Sequence, residues 1–249
     1  MRLVCYNVEG LRRAAEVARV VKGLDADVVA LQEPGRGPLG LVRLAVLARR
    51  TGLRRVARCG TTALLVAEHV EVAPAVGIVR GSLVSTLNRI GRTTLVTLRL
   101  PRSAVQLPRG RPTWRRPHPM GRGASIATVD GIGIVVLHLP PDDQQMRLVH
   151  LDRIADRWEH RDPQLVVGDL NERPGLPAWQ RLTDPGSGSL RDLAPDAGPT
   201  YPTHRPRSRI DAVLGSASLR AVKAWVPDDA EVLAASDHRP VVVELERAS

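Results

Sequence analysis

The stretch Gln164-Leu165-Val166-Val167-Gly168-Asp169-Leu170-Asn171 gives the clearest local signal in the chain. Its short apolar run predicts a buried β-strand over Gln164–Val167. Gly168 then breaks the pattern, and Asp169 and Asn171 follow at once. Two interpretations remain open at this point. The polar residues either form an Asx turn that closes the strand, or they are placed there to act on a ligand.

The same arrangement, a polar side chain beside the end of an apolar strand, recurs near the N-terminus. A strand predicted over Arg2–Tyr6 is followed by Asn7. A second strand, over Asp27–Leu31, is followed by Glu33. In α/β proteins catalytic groups collect where strands end at one edge of a sheet, so we expect these side chains to lie near Asp169.

Three more candidates lie in the second half of the chain. Asp211 lies inside a predicted strand over Arg209–Leu214, and an unpaired buried carboxylate is costly, so it needs a partner. Asp237 and His238 immediately precede a last strand over Pro240–Leu245. His138 lies between two leucines in a predicted strand, where a structural histidine is the simpler interpretation. Carboxylate and amide oxygens are hard ligands, so the set as a whole favours Mg²⁺ or Mn²⁺ over a zinc site.

The order of elements predicts an α/β fold. The length fits one large domain over residues 1–249, which we expect, or two small ones. Apolar residues at helical spacing predict helices from Leu11 to Val21, from Leu39 to Arg50 and from Leu148 to Trp158. Strand patterns lie between them, and Asp130-Gly131 predicts a hairpin turn. Further strands are predicted over Ala63–Ala67, Val70–Val76, Thr93–Leu100, Ala124–Val129, Gly133–Leu139 and Leu219–Val226.

The chain is strongly basic, and its positive charge is almost wholly arginine. Its 249 residues carry a formal net charge of +10, and lysine occurs only at Lys22 and Lys223. Guanidinium groups match phosphate oxygens bidentately, so this surplus suits a phosphate-bearing partner. A compositional bias toward arginine explains the charge equally well. Neither a signal peptide nor an apolar run of about 18 residues is present, which predicts a cytoplasmic protein.

One segment concentrates the basic charge. Residues 101–122 hold six arginines and five prolines, a composition typical of a surface loop. If the substrate is a nucleic acid, Arg115 and Arg116 would contact its phosphates, and Trp114 would stack on a base. The alternative is a solvated loop without a ligand.

Taken in order, the candidate residues lie in short motifs that resemble those of the endonuclease/exonuclease/phosphatase superfamily, the DNase I-like metal-dependent phosphoesterases. The resemblance extends over nearly the whole chain and implies a four-layer α/β sandwich, in which two packed mixed β-sheets are flanked by helices. The matching motifs are Tyr6-Asn7-Val8, Leu31-Gln32-Glu33, Leu137-His138-Leu139, Gly168-Asp169-Leu170-Asn171, Arg209-Ile210-Asp211 and Ser236-Asp237-His238.

The resemblance implies a metal centre and a position for the attacking water. Glu33 would bind Mg²⁺ or Mn²⁺ directly, with Asn7 beside it. Asp237 would complete the surroundings of the metal ion. Asp169 would orient or deprotonate the water, and Asn171 would hold that water or a phosphate oxygen.

The resemblance also implies the groups that contact the scissile phosphate. His238 would contact it and pair with Asp211, which supplies the partner that this buried carboxylate needs. His138 would be a second phosphate contact. Arg122 occupies a position where relatives can carry a basic phosphate ligand.

The chain departs from the superfamily pattern in places. Leu137 stands where many relatives have Thr or Ser, and Leu170 where many have an aromatic residue. Abasic-site endonucleases place a catalytic tyrosine in mid-chain, whereas the tyrosines here are Tyr6 and Tyr201. The net charge and the arginine-rich segment make a phosphodiesterase acting on nucleic acid the leading hypothesis, with DNA preferred. The alternatives are a phosphatase or phospholipase-like hydrolase of small phosphoesters, and an inactive nucleic-acid-binding module.

Overall fold

Strands buried on both faces form the centre of the molecule, as a computed structural model of the chain shows. The structure describes residues 1–79, 84–87, 123–155, 162–184 and 190–248. Two sheets pack face to face, and the side chains between them are almost wholly aliphatic. Leucine and valine therefore fill the space that aromatic residues would occupy in other chains, since phenylalanine is absent.

The first sheet has six strands within the described residues. They are β1 (Arg2–Asn7), β2 (Val28–Gln32), β3 (Leu53–Cys59), β4 (Thr62–Ala67), β12 (Leu219–Trp225) and β13 (Val241–Arg247). Their order across the sheet is β12-β13-β1-β2-β4-β3. β1 and β2 run parallel, and the other neighbouring pairs are antiparallel.

The second sheet has seven strands in the same described part. They are β5 (Val72–Val79), β6 (Val84–Leu87), β7 (Ala124–Val129), β8 (Ile132–His138), β9 (Gln164–Asp169), β10 (Arg191–Asp192) and β11 (Asp211–Gly215). Their order across the sheet is β10-β11-β9-β8-β7-β5-β6. β8 and β9 are parallel, and each is flanked by an antiparallel neighbour, as are β1 and β2 in the first sheet.

Helices cover the outer face of each sheet and complete a four-layer α/β sandwich. Against the first sheet pack α1 (Ala14–Gly23), α2 (Gly37–Thr51) and α5 (Ala230–Ala235). Against the second pack α3 (Gln144–Ala155) and α4 (Pro177–Thr183). The expected fold class is confirmed. No described helix is long and apolar enough to cross a membrane.

The predicted elements are largely confirmed, with shifts at their ends. The first helix begins at Ala14 rather than Leu11, because Gly10 has a positive φ of 71° inside a short 3₁₀ turn over Glu9–Leu11. The helices α4 and α5 were not expected. Both are shorter than the window that periodicity needs. Asp229 precedes α5, and its carboxylate caps the first turn of that helix. The strand predicted over Thr93–Leu100 lies outside the described residues.

The topology brings particular strand ends together. The carboxyl ends of the parallel pair β1 and β2 lie at one edge of the first sheet. Those of β8 and β9 lie at one edge of the second. Since β1 packs on β9 and β11 across the core, these edges meet, and the antiparallel strands β11 and β13 begin there.

Candidate active site

Asp169 lies at the centre of the cluster where the strands end. It is the last residue of β9, and the residue is 1% exposed. Its Oδ2 accepts a hydrogen bond of 3.0 Å from the Asn7 amide and lies 3.8 Å from His138 Nε2 and 3.9 Å from His238 Nε2. Its Oδ1 accepts a bond of 2.8 Å from the Asn171 backbone N–H. One carboxylate thus links four of the predicted residues.

Burial and neighbouring charges alter the acidity of Asp169. Burial raises the pKa of its carboxyl, and the charge of Asp211 raises it further. Cationic His238 and the hydrogen bonds from Asn171 and Asn7 act in the opposite direction, and the pKa is about 7. The group is therefore poised to exchange a proton near neutral pH.

His238 and Asp211 form a buried pair. Nδ1 of His238 lies 2.9 Å from Oδ2 of Asp211, whose side chain is 0% exposed. Burial lowers the pKa of His238, but the charge and hydrogen bond of Asp211, with the charges of Asp169 and Asp237, outweigh burial and raise it to about 9. The imidazole is therefore a cation at neutral pH, and Nδ1 donates to Asp211. The ring of Tyr201 lies 4.7 Å from that of His238, centroid to centroid.

Glu33 projects into the same region from the turn after β2. Its backbone has a positive φ of 52°, an uncommon conformation for this residue type. Two backbone hydrogen bonds hold it there, from its N–H to Thr61 O at 2.8 Å and from Gly10 N–H to its carbonyl at 2.9 Å. The carboxylate is 44% exposed, and its Oε1 lies 3.7 Å from His138 Nε2. The carboxylate of Glu33 is accessible, whereas those of Asp169 and Asp211 are enclosed.

The loop after β9 depends on a close approach of two backbones. A Cβ on Gly168 would lie 2.0 Å from the carbonyl oxygen of Leu137, so only glycine fits here. Asn171 has a positive φ of 50°, and its amide donates to Leu139 O at 2.9 Å. These contacts fasten the Asp169 loop to the end of β8 and fix the distance between Asp169 and His138.

Ser236 connects the start of the last strand to the end of the first. Its hydroxyl donates to the backbone oxygen of Asn7 at 2.7 Å, and its Oγ lies 3.4 Å from Asp237 Oδ1. This places the half-buried Asp237 beside Asn7, although the two residues are far apart in sequence.

A comparison with protein families identifies the family of the chain. The model of the endonuclease/exonuclease/phosphatase family matches residues 4–238, a span that contains every motif of the cluster. The chain belongs to the endonuclease/exonuclease/phosphatase family. Membership makes it a hydrolase of phosphoester bonds. No curated protein sequence matches it significantly.

Solved structures share the fold of this family member at low sequence identity. An endonuclease/exonuclease/phosphatase from Bacteroides vulgatus has a TM-score of 0.69 at 17% identity and covers 99% of this chain and 98% of its own. The mannosyl-6-phosphatase Bt3783 of Bacteroides thetaiotaomicron has a TM-score of 0.69 at 16% identity, with 99% of both chains covered. ANGEL2, a 2′,3′-cyclic phosphatase, has a TM-score of 0.65 at 12% identity and covers 98% of this chain and 94% of its own.

Members of the family generally depend on a divalent metal ion, and the cluster in this chain fits one. Four carboxylates, those of Glu33, Asp169, Asp211 and Asp237, surround two histidines, so negative charge exceeds positive charge even when both rings are cationic. Such a surplus in a largely enclosed region calls for a cation.

Two groups of residues could hold that ion. Ligand atoms of Asp169, Asp211 and His238 lie within 4.8 Å of one another. However, Asp211 and His238 are already hydrogen-bonded to each other and enclosed. The carboxylate of Glu33, whose side chain is 44% exposed, offers hard oxygen ligands that are open to a cation.

The structure also shows residues that sequence analysis missed. Tyr201 packs on His238, and Thr61 anchors the backbone of Glu33. Neither has a sequence signal, because both contacts join separate segments of the chain. The four predicted substrate contacts, Trp114, Arg115, Arg116 and Arg122, lie outside the described residues.

Proposed function

We propose that the chain is a Mg²⁺- or Mn²⁺-dependent phosphodiester hydrolase and that its preferred substrate is DNA. The observation that carries the chemistry is the position of Asp169, a carboxyl with a pKa of about 7 that lies within 4 Å of two histidines. A proton acceptor works best when its pKa is close to the working pH.

In this proposal Asp169 receives the proton of the attacking water. The water oxygen forms a bond to phosphorus while the ester P–O bond breaks, and the leaving alkoxide takes a proton from solvent to become the alcohol. The amide of Asn7 and the backbone N–H of Asn171 hold the carboxylate of Asp169 in position for that transfer. The side chain of Asn171 would hold the water or a phosphate oxygen.

In this proposal the two histidines bind the scissile phosphate. Cationic His238 donates through Nε2 to a non-bridging phosphate oxygen, since Asp211 engages Nδ1 and fixes the ring orientation. His138, whose Nε2 lies 3.8 Å from Asp169 Oδ2, is the second contact. Donors fixed in advance at the oxygens where negative charge develops lower the barrier without reorganisation.

Glu33, with Asn7 and Asp237, would hold the divalent ion. When bound, the ion supplies charge neutralisation at the phosphate and a lower pKa for bound water. The exposed carboxylate of Glu33 beside His138 supports this assignment, because it faces solvent near the phosphate contacts.

DNA as substrate is supported by the net charge of +10 and by the arginine-rich segment of residues 101–122. A duplex attracts arginine through its regular phosphates, in a manner that depends on salt. A second candidate, a small phosphoester, is favoured by one observation, a cavity of about 290 Å³ lined by Glu33. A relative in fold is a mannosyl-6-phosphatase.

One panel of substrates tests the proposal. Plasmid DNA, bis-p-nitrophenyl phosphate and p-nitrophenyl phosphate are each incubated with Mg²⁺, with Mn²⁺ and with a chelator. We expect metal-dependent cleavage of the plasmid and the diester, and loss of both in Asp169→Asn. Cleavage of the monoester alone would reject the nuclease assignment in favour of a phosphatase.

A further inference from the structure

A cavity of about 290 Å³ lies beside Glu33, between the loops that follow β1 and β2. It shares Glu33 with the catalytic cluster, whereas Asp169 and both histidines are not among its lining residues. Ligands of α/β proteins commonly bind in the crevice outside the carboxyl ends of parallel strands. The position therefore suits a part of the substrate that lies next to the reacting group.

Arginine dominates the charge of this cavity. Arg12, Arg36 and Arg43 line it, against the single carboxylate of Glu33. Arg12 is paired with Glu9 at 2.8 Å. In the described part of the chain neither Arg36 nor Arg43 has a carboxylate within ion-pair distance, and Arg43 has only a long contact of 3.5 Å to Gly10 O. Two guanidinium groups are thus available to an anion.

A buried hydroxyl in the wall of the cavity gives an independent indication of a ligand. Thr61 is 5% exposed, and its Oγ1 has no hydrogen-bond partner among the described residues. A buried polar atom without a partner is unfavourable and uncommon. Thr61 O also accepts the N–H of Glu33, so the backbone of this residue is tied directly to that of Glu33.

The walls of the cavity are held rigidly. A Cβ on Gly40 would lie 2.4 Å from the backbone of Gly35, so the loop after β2 presses directly on the first turn of α2. Arg58 donates to Gly35 O at 2.8 Å and ties the same loop to β3. The α2 N-terminus adds its positive dipole end to the arginines. The cavity is thus a preformed and positively charged pocket.

We propose that this cavity binds a second phosphate group of the substrate, adjacent to the ester that is cut. Arg36 and Arg43 pair with its oxygens, and Thr61 Oγ1 donates a hydrogen bond to it. The inference rests on the proposed function of the cluster at Asp169. It narrows the substrate to phosphodiesters that carry a further phosphate, as in a nucleic-acid strand or a phosphorylated polyol head group.

The test compares substrates that differ by one phosphate. We measure kcat/KM for the dinucleotide TpT and for its 5′- and 3′-phosphorylated forms, and for a glycerophosphodiester with and without a second phosphate on its polyol. One added phosphate should raise kcat/KM roughly tenfold or more, in line with charge-assisted hydrogen bonds. A gain confined to the dinucleotides identifies a nucleic-acid strand as its source, and a gain confined to the polyol diester identifies a head group.

Variants test whether this increase in kcat/KM depends on residues that line the cavity. In Arg36→Gln, Arg43→Gln and Thr61→Val the ratio of kcat/KM with and without the added phosphate should fall toward one. Thr61→Ser keeps the hydroxyl and should retain the ratio. Arg50→Gln, at the exposed end of the same helix, is the matched control for charge and should leave it unchanged.

Two results would overturn the inference: no preference for an added phosphate in the parent protein, or an equal loss in Arg50→Gln. If no diester is hydrolysed at all, the proposed function fails. Calorimetric binding of 5′-phosphorylated TpT in a chelator then tests the cavity alone. Equal affinity of the parent and Arg36→Gln for that dinucleotide would reject it.

Discussion

Replacing His238 with alanine removes the hydrogen-bond partner of a fully enclosed carboxylate. Asp211 is 0% exposed, its Oδ2 lies 2.9 Å from His238 Nδ1, and its Oδ1 has no partner within the described residues. Breaking a buried ion pair from one side costs about 3–5 kcal/mol, because the remaining charge is uncompensated. We therefore expect His238→Ala to lower the free energy of unfolding by about that amount.

The double variant Asp211→Asn/His238→Ala should recover part of the loss. The amide of asparagine fills the same volume without a charge, so the double variant should be more stable than His238→Ala by about 1–3 kcal/mol, a range typical of coupled neighbours.

The losses in turnover should also be non-additive. Each single variant should lose a factor on the order of 10², and the double variant should be little worse than His238→Ala.

An exposed pair of the same residue types provides the control. His69 Nε2 lies 2.9 Å from Asp27 Oδ1, but the histidine side chain is 72% exposed. Solvent screens this pair, so His69→Ala should cost no more than about 1 kcal/mol. The two pairs share their residue types and their distance, and they differ in burial.

Denaturant unfolding in the presence of a chelator measures all these variants without a contribution from bound metal. The reasoning would be refuted if His238→Ala cost no more than His69→Ala. It would also fail if the double variant lost the sum of the two single losses. For turnover, two single losses that multiply cleanly would show that Asp211 does not act through His238.

Three further predictions concern the metal, the backbone and the basic segment. A chelator should abolish diester hydrolysis. Glu33→Gln should lose a factor on the order of 10² in turnover with an unchanged unfolding midpoint. Full activity in excess chelator would exclude a requirement for a metal ion. Gly168→Ala should lower the free energy of unfolding by about 3 kcal/mol or more in denaturant unfolding, because the new Cβ would meet Leu137 O at 2.0 Å. Gly23→Ala is the control. Its Cβ would meet nothing within 4 Å, so this change should be neutral or stabilising. The third variant changes four arginines of the basic segment to serine: Arg109, Arg111, Arg115 and Arg116. Measured in chelator, the slope of log DNA affinity against log salt should become shallower by about 0.7–0.9 for each phosphate that the segment no longer neutralises. Equal slopes for variant and parent would rule out binding of DNA by this segment.

The candidate site was predictable to the extent that its residues follow strong local patterns. Apolar runs place strands before Asn7, Glu33 and Asp169, and their short motifs occur in the order shared by the family. The helices α4 and α5 could not be predicted in this way. At seven and six residues they are too short for a periodic signal and depend on packing against the sheets.

The sequence by itself determined which polar residues stand at the ends of strands, because a strand's period and its end are local properties of the chain. Only the tertiary structure decided how those residues meet. Asn7 and Asp169, which share a hydrogen bond, are separated by 162 positions, and the packing of two sheets sets their distance. The same packing encloses Asp169 and raises its pKa to about 7. It also buries the Thr61 hydroxyl, although Thr61 belongs to a cavity that arginines line. Burial depends on the whole fold, and so does the approach of residues that are far apart in sequence. No local pattern of residues encodes either one.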